Sequence, residues 1–218
     1  SPGPISVAQR STALLINALF RWLESRCDPF PPDLPEKPPT TLSGFVIHYA
    51  RPFWPLVLAS STMATAIALT EVFLFSFMGR LVDWLALTGP ENLWAEHRIF
   101  LVAMGLLVLV GLPVLKFFYT SVTYQGLLGN FAMRTRWQAH RYLLRQSMEF
   151  FHNDFASRVA TKMMQTALAV RDTVLEMTDI FLYVIVYFCG TLVLFAASDI
   201  RLAAPMIVWL ACYLLVMW

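Results

Sequence analysis

Between Phe53 and Met78 a single ionisable side chain, Glu71, interrupts 26 residues that are otherwise uncharged. A lone charge held inside a hydrocarbon slab costs about 2.5–3.5 kcal/mol on insertion scales, so such a carboxylate must face a cavity or a partner. Two roles fit: a contact for cargo or for a gate, or a group protonated or hydrogen-bonded within a helix bundle near the outer interface. Met78, with Met63, Met104, Phe73, Phe75 and Phe77, offers adaptable apolar surface that suits either a greasy route or ordinary span packing. On this reading Glu71 and Met78 are the candidate pathway residues. His152 and Asp154 carry metal-ligating atoms, but two residues in one loop with no further ligands make a turn and not a metal site. Cys27, Cys189 and Cys212 form no C-x-x-C pair and read as buried small hydrophobes or free thiols. No catalytic, metal or cofactor site is therefore expected in this chain. A G-x-x-x-x-G-K-[ST] phosphate loop is also absent, so the chain as it stands has no cradle for ATP and no hydroxyl for magnesium.

The elements that must position these residues are helices in a membrane. The chain is 58% hydrophobic and 14% charged, against the roughly 25% charged residues of a soluble domain, and its mean hydropathy is +0.60. The net charge of +2 says little by itself, since the distribution of charge matters more than its sum. The expected fold class is an all-α membrane protein, a polytopic helical bundle with long cytoplasmic helix extensions. From Asn130 to Cys189, 60 consecutive residues contain neither Gly nor Pro. Two helical stripes run there: Met133, Trp137, His140, Leu144, Met148 and Phe151, then Val159, Met163, Ala167, Val170, Val174 and Met177. They predict two helices, 130–151 and 154–179, with His152, Asn153 and Asp154 as the turn and Ser157 as a cap. At 1.5 Å per residue the helices extend roughly 33 and 39 Å, and the matched lengths predict a hairpin that leaves the membrane and returns.

In chain order, 1–41 is expected to be a cytoplasmic tail. Its segment 11–26 reads as a helix, either lying on the membrane surface with Leu15, Leu19, Trp22 and Leu23 inward or weakly ordered. Asp28 to Pro39 holds six prolines in 12 residues, which predicts an extended tether, with a ligand for a proline-recognition domain as the alternative. An elbow at 43–51 bends at Arg51-Pro52. Spans follow at about 53–78, 99–128, 180–197 and 202–218, with a kink at Pro113, a cytoplasmic hairpin at 129–179 and a tight turn at 198–201. The fourth span reaches Trp218 without a polar flank, so the sequence is expected to continue beyond it.

Arg134, Arg136, Arg141, Arg145, Arg158, Lys162 and Arg171 lie in the hairpin, while the link from Arg80 to Arg98 carries only those two arginines. The positive-inside rule puts the hairpin, the tail and the elbow in the cytoplasm. Basic residues placed there orient the protein and meet lipid headgroups, and no nucleic-acid partner is expected.

ARPFWPLVLASS from Ala50, Glu71, and MGRLVDW from Met78 resemble the elbow and first span of ABC exporters. RTRWQAHRYLLRQSMEFFHNDFASRVATKMMQTALAVRD, from Arg134 to Asp172, is similar to that family's first intracellular loop. Ser157-Arg158-Val159 stands where Gly-Glu-Leu is usual. The resemblance covers 42–218 and implies a partial transmembrane domain of the type I (type IV) exporter fold, four of six spans, truncated after the fourth. It further implies a coupling helix formed by Phe150, Phe151, His152, Asn153, Asp154, Ser157 and Arg158 that docks on a nucleotide-binding domain binding ATP and magnesium. Also implied are a second transmembrane half, making a homodimer or heterodimer, a lipid-like or drug-like cargo, and a place in the plasma (inner) membrane. The parent protein would be an ATP-hydrolysing translocase. Two rival readings are a four-span scaffold that transports nothing and a permease subunit whose ATPase is a separate chain.

Overall fold

The structure is a computed structural model, and it describes residues 7–33, 37–147 and 156–217. Among the described residues it is helical without strands, in the order α1 (Val7–Glu24), α2 (Leu42–Ala50), α3 (Trp54–Leu106), α4 (Leu112–Ser121), α5 (Gly129–Leu143), α6 (Ala156–Leu175), α7 (Phe181–Ser198) and α8 (Ile200–Met217). Three π-helical turns, Leu107–Gly111, Val122–Leu128 and Glu176–Ile180, join consecutive helices. Among the described residues, four helical stretches are long and apolar enough to cross a membrane: Leu42–Leu87, Glu91–Leu143, Arg158–Ser198 and Ile200–Met217. The chain is an all-α, multi-pass membrane protein. α7 is rich in β-branched and aromatic residues, yet it is helical, as it must be where no water is present to satisfy backbone N–H and C=O groups.

Local chemistry sets the breaks. Within α3 the backbone turns at Gly89, with φ 75° and ψ 159°, a conformation that needs a residue without Cβ and a ψ that suits the residue before Pro90. Trp84 and His97, on either side of that turn, stack with ring centroids 4.0 Å apart. Pro113 follows directly on a π turn in which the Leu112 N–H donates to the Leu107 carbonyl. Proline has no N–H to give the carbonyl four residues back, and the widened turn accommodates that missing bond. Before α8, Asp199 is extended and its Oδ1 accepts from the Arg201 N–H at 2.9 Å, so a side chain closes the start of the helix.

The chain divides into two compact units. The first holds the described residues up to Ser60 and from Phe117 to Thr178. Its core includes Phe53, which is fully buried and stacked on Phe131 at 4.7 Å, together with Leu127, Leu56 and Val57. α5 packs on α6, α2 packs on α6, and α1 packs on the π turn Val122–Leu128. α1 is thus neither a free tail nor a helix lying on lipid alone, because Leu23 is buried against protein.

The stripe expected on the first hairpin helix is corrected in two respects. α5 ends at Leu143, eight residues before Phe151, in a turn through Leu144 and Arg145. Its buried residues are Phe131, Ala132 and Thr135, while Met133 and Leu144 are exposed. On α6 the inward residues are Ala167, Val170 and Val174, but Met177, expected to continue the stripe, is exposed. A π turn begins at Glu176 and rotates the following face.

The described part of the proline-rich segment before Leu34 is fastened to α5 and not loose. Proline removes donors from the segment, so its carbonyls need partners from elsewhere. α5 supplies them from one face, at positions 134, 137 and 141, and position 130 on the same face reaches the last residue of α1. Asn130 Nδ2 donates to the Glu24 carbonyl at 3.0 Å and Arg134 Nη1 to the Asp28 carbonyl at 3.0 Å. Trp137 Nε1 donates to the Pro31 carbonyl at 3.1 Å. Arg141 Nη1 meets the carbonyls of Pro31, Pro32 and Asp33 at 3.2, 2.6 and 3.0 Å. Phe30 packs edge-on against Trp137 with centroids 5.3 Å apart. Beside this strap the buried Cys27 thiol donates to the Pro52 carbonyl at 3.2 Å. Burial pushes this thiol's pKa up, and Arg134 offsets only part of the rise.

A raised thiol pKa means less thiolate at neutral pH. In a Cys189→Ser, Cys212→Ser background, a water-soluble maleimide is expected to label Cys27 more slowly than a free thiol at pH 7. The rate should climb about tenfold per pH unit through pH 9. Trp137→Ala, which loosens the strap, should speed labelling at every pH. A wild-type rate equal to that of a small-molecule thiol would show that the strap does not cover Cys27.

Candidate functional site

The second unit runs from Ser61 to Lys116 and from Asp179 through the described residues of α8. Most of its large apolar side chains point outward, as expected where lipid is as good a neighbour as protein. Polar contacts at Glu71 and Asp179 join different helices inside it. Glu71, on the arm of α3 before Gly89, accepts at Oε1 from Lys116 Nζ of α4 at 3.1 Å, and at Oε2 from the Tyr183 hydroxyl of α7. A carboxylate, an ammonium and a phenol thus tie three different helices, and each charge offsets the cost of placing the other among apolar helices. Asp179, buried in the π turn before α7, accepts from Ser61 Oγ of α3 at 3.3 Å.

The face of α7 that meets α3 repeats at 183, 187 and 190. Tyr183 and Tyr187 stack at 5.9 Å, and Phe75 of α3 meets Tyr187 edge-on at 6.3 Å. At Gly190 the helices approach closely: a Cβ built there would lie 3.0 Å from Val72 Cγ2. A β-branched valine has little rotamer freedom to retreat, so the close approach depends on glycine.

Beside this contact lies a cavity of about 220 Å³ lined by Glu71, Leu74, Phe75, Met78 and Tyr187. Glu71 and Met78, the two pathway candidates, line the same cavity. A second, apolar cavity of about 520 Å³ is lined by residues of α7 and α8, among them Tyr183, Tyr187, Met206 and Trp209. The two share Tyr187 as a wall. Among the described residues no cluster of three or more His, Cys, Asp or Glu forms a metal site.

Of the expected coupling residues, Phe150, Phe151, His152, Asn153 and Asp154 lie outside the described residues. Ser157 falls within α6, its side chain outside what is described, and Arg158 on the same helix is exposed. Sequence reasoning missed Lys116 and Tyr183 as partners of Glu71, and it placed Asp179 at a hairpin end. The signal that was available is a second ionisable residue at the edge of each of two neighbouring apolar runs.

No family model matches the chain, and no solved structure matches it. A protein of Haemophilus influenzae named "Uncharacterized ABC transporter ATP-binding protein" is similar to it, 40% identical over 205 residues. The alignment takes in 93% of this chain and 33% of that protein, so the chain spans about a third of the length of the relative it matches.

Gly190→Leu is expected to overpack the α3–α7 contact and cost about 1–3 kcal/mol. Gly105→Leu, at a site with nothing within 4 Å of the new Cβ, should cost far less. Thermal unfolding in detergent measures both. Equal midpoints would show that the contact does not hold the unit together.

Proposed function

We propose that this chain is a membrane-spanning part of an ATP-driven ABC exporter. In this reading it is the N-terminal part of the transmembrane domain in the type I fold, with the N-terminus and the hairpin in the cytoplasm of a plasma (inner) membrane. The observation that carries the reading is the 40% identity, over 93% of this chain, to a protein named as an ABC transporter ATP-binding protein. The chain that makes up this alignment has, among its described residues, four helices long enough to cross a membrane, and its sequence holds no phosphate loop. ATP and magnesium would then be held by a nucleotide-binding domain outside this chain. The ordered motifs from Ala50 to Asp172 add support to the family reading.

In this mechanism Phe150, Phe151, His152, Asn153, Asp154, Ser157 and Arg158 form the contact to that ATPase domain. Its closure on nucleotide is carried along the two helices of the hairpin into the spans. Two such halves assemble around the pathway, and the cargo is hydrophobic or amphipathic. Glu71 and Met78 face that pathway from the smaller cavity. Their place beside an aromatic wall supports cargo contact, because aromatic and thioether side chains adapt to varied apolar shapes.

Inside-out vesicles from cells expressing the intact gene are expected to take up a lipophilic fluorescent dye only with ATP and magnesium. Glu71→Ala should cut the initial rate roughly tenfold, the equivalent of about 1.4 kcal/mol of lost interaction, with the same amount of protein in the membrane. Uptake indifferent to ATP would overturn the exporter reading. Binding of a cytoplasmic partner without any transport would favour a scaffold instead.

A further inference from the structure

We infer that the paired cavities of the second unit form a site for an amine-bearing amphiphile, whose ammonium group replaces that of Lys116 on Glu71. The inference rests on the exporter reading for what happens after binding, but the binding itself stands on the geometry alone. Glu71 is the charged residue lining the smaller cavity, and what it binds at 3.1 Å is an ammonium on a four-carbon stem. The protein therefore already contains a model of its ligand.

The two partners of the carboxylate differ in how firmly they are held. Tyr183 stacks on Tyr187 and belongs to the helix face packed against α3, so it keeps Glu71 oriented. The Lys116 side chain is 55% exposed against 25% for Glu71. Its flexible four-carbon stem can carry the ammonium off Oε1 while the methylenes stay on apolar surface. An entering primary amine then takes over the Oε1 contact with no change in the charge of the pair. Phe75 and Tyr187 line the same cavity, so the methylenes next to its ammonium meet aromatic side chains.

The size of the cavities selects an amphiphile over a compact amine. About 220 Å³ is below the roughly 300–1,000 Å³ of a drug-sized site, so this cavity admits a head group and little more. Across Tyr187 the apolar cavity of about 520 Å³ accepts a hydrocarbon or aromatic tail.

The test uses the protein in lipid nanodiscs, without nucleotide, and two diazirine photoprobes of equal length, a dodecylamine and a dodecanol. Labelling of α7 and α8 is followed by peptide mapping as probe concentration rises. In the wild type the amine should reach half-saturation at a concentration at least about tenfold below the alcohol, a difference of about 1.4 kcal/mol. Glu71→Gln should abolish that preference. Lys116→Gln, which removes the internal competitor, should instead strengthen amine labelling severalfold and leave the alcohol unchanged. A salt bridge that serves structure alone would move both variants in the same direction, and that result overturns the inference, as does an amine no better than the alcohol in the wild type. Should Glu71→Gln fail to fold, the direction of the Lys116→Gln shift decides by itself. ATP-driven dye uptake with parallel shifts in the two variants would leave the exporter reading standing and remove this one. Opposed shifts without ATP-driven uptake would do the reverse.

Discussion

A carboxylate among apolar helices must find its counter-charge inside the protein, and Glu71 finds it by recruiting one group from each of two other helices. The first span alone gains nothing from the charge. With Lys116 and Tyr183 in place, three helices share a polar contact whose loss would strand a charge. Association of helices in lipid lacks the hydrophobic drive that assembles a soluble core, so a few directional contacts and close small-residue approaches set the arrangement. The Glu71 cluster, the Ser61–Asp179 contact and the closeness of Gly190 to Val72 are contacts of that kind.

The same demand for partners acts on the backbone in the first unit. A run of prolines offers carbonyls but few donors, and α5 answers with three side chains, Arg134, Trp137 and Arg141, spaced along one face. Residues 28–33 are thereby part of the folded unit. Their attachment makes use of Arg134 and Arg141, because an arginine presents several donors in a fixed fork.

Much of the fold class was legible, because long apolar runs such as that from Ile180 to Ala197 admit one reading in a membrane. The strap was not, since a backbone carbonyl carries no sequence signature and the donors on α5 looked like any basic cytoplasmic helix. The early end of α5 had no signal either: Leu143, Leu144 and Arg145 are good helix formers, and no Gly or Pro marks the break. Glu71 was conspicuous as an isolated charge and Met78 as a polarizable neighbour, and both line one cavity. Lys116 and Tyr183 lie 45 and 112 residues from Glu71 in the chain, and no local pattern joins them to it.

The three π turns have a consequence for the geometry of the chain. Each inserts one residue into a helix of 3.6 residues per turn, which advances everything after it by about 100° around the axis. Residues before and after Val122–Leu128 therefore keep two different angular phases along one continuous run of backbone. A single membrane-crossing segment can in this way present one face to its neighbours at one depth and another face at the next, without the chain ever leaving helical hydrogen bonding.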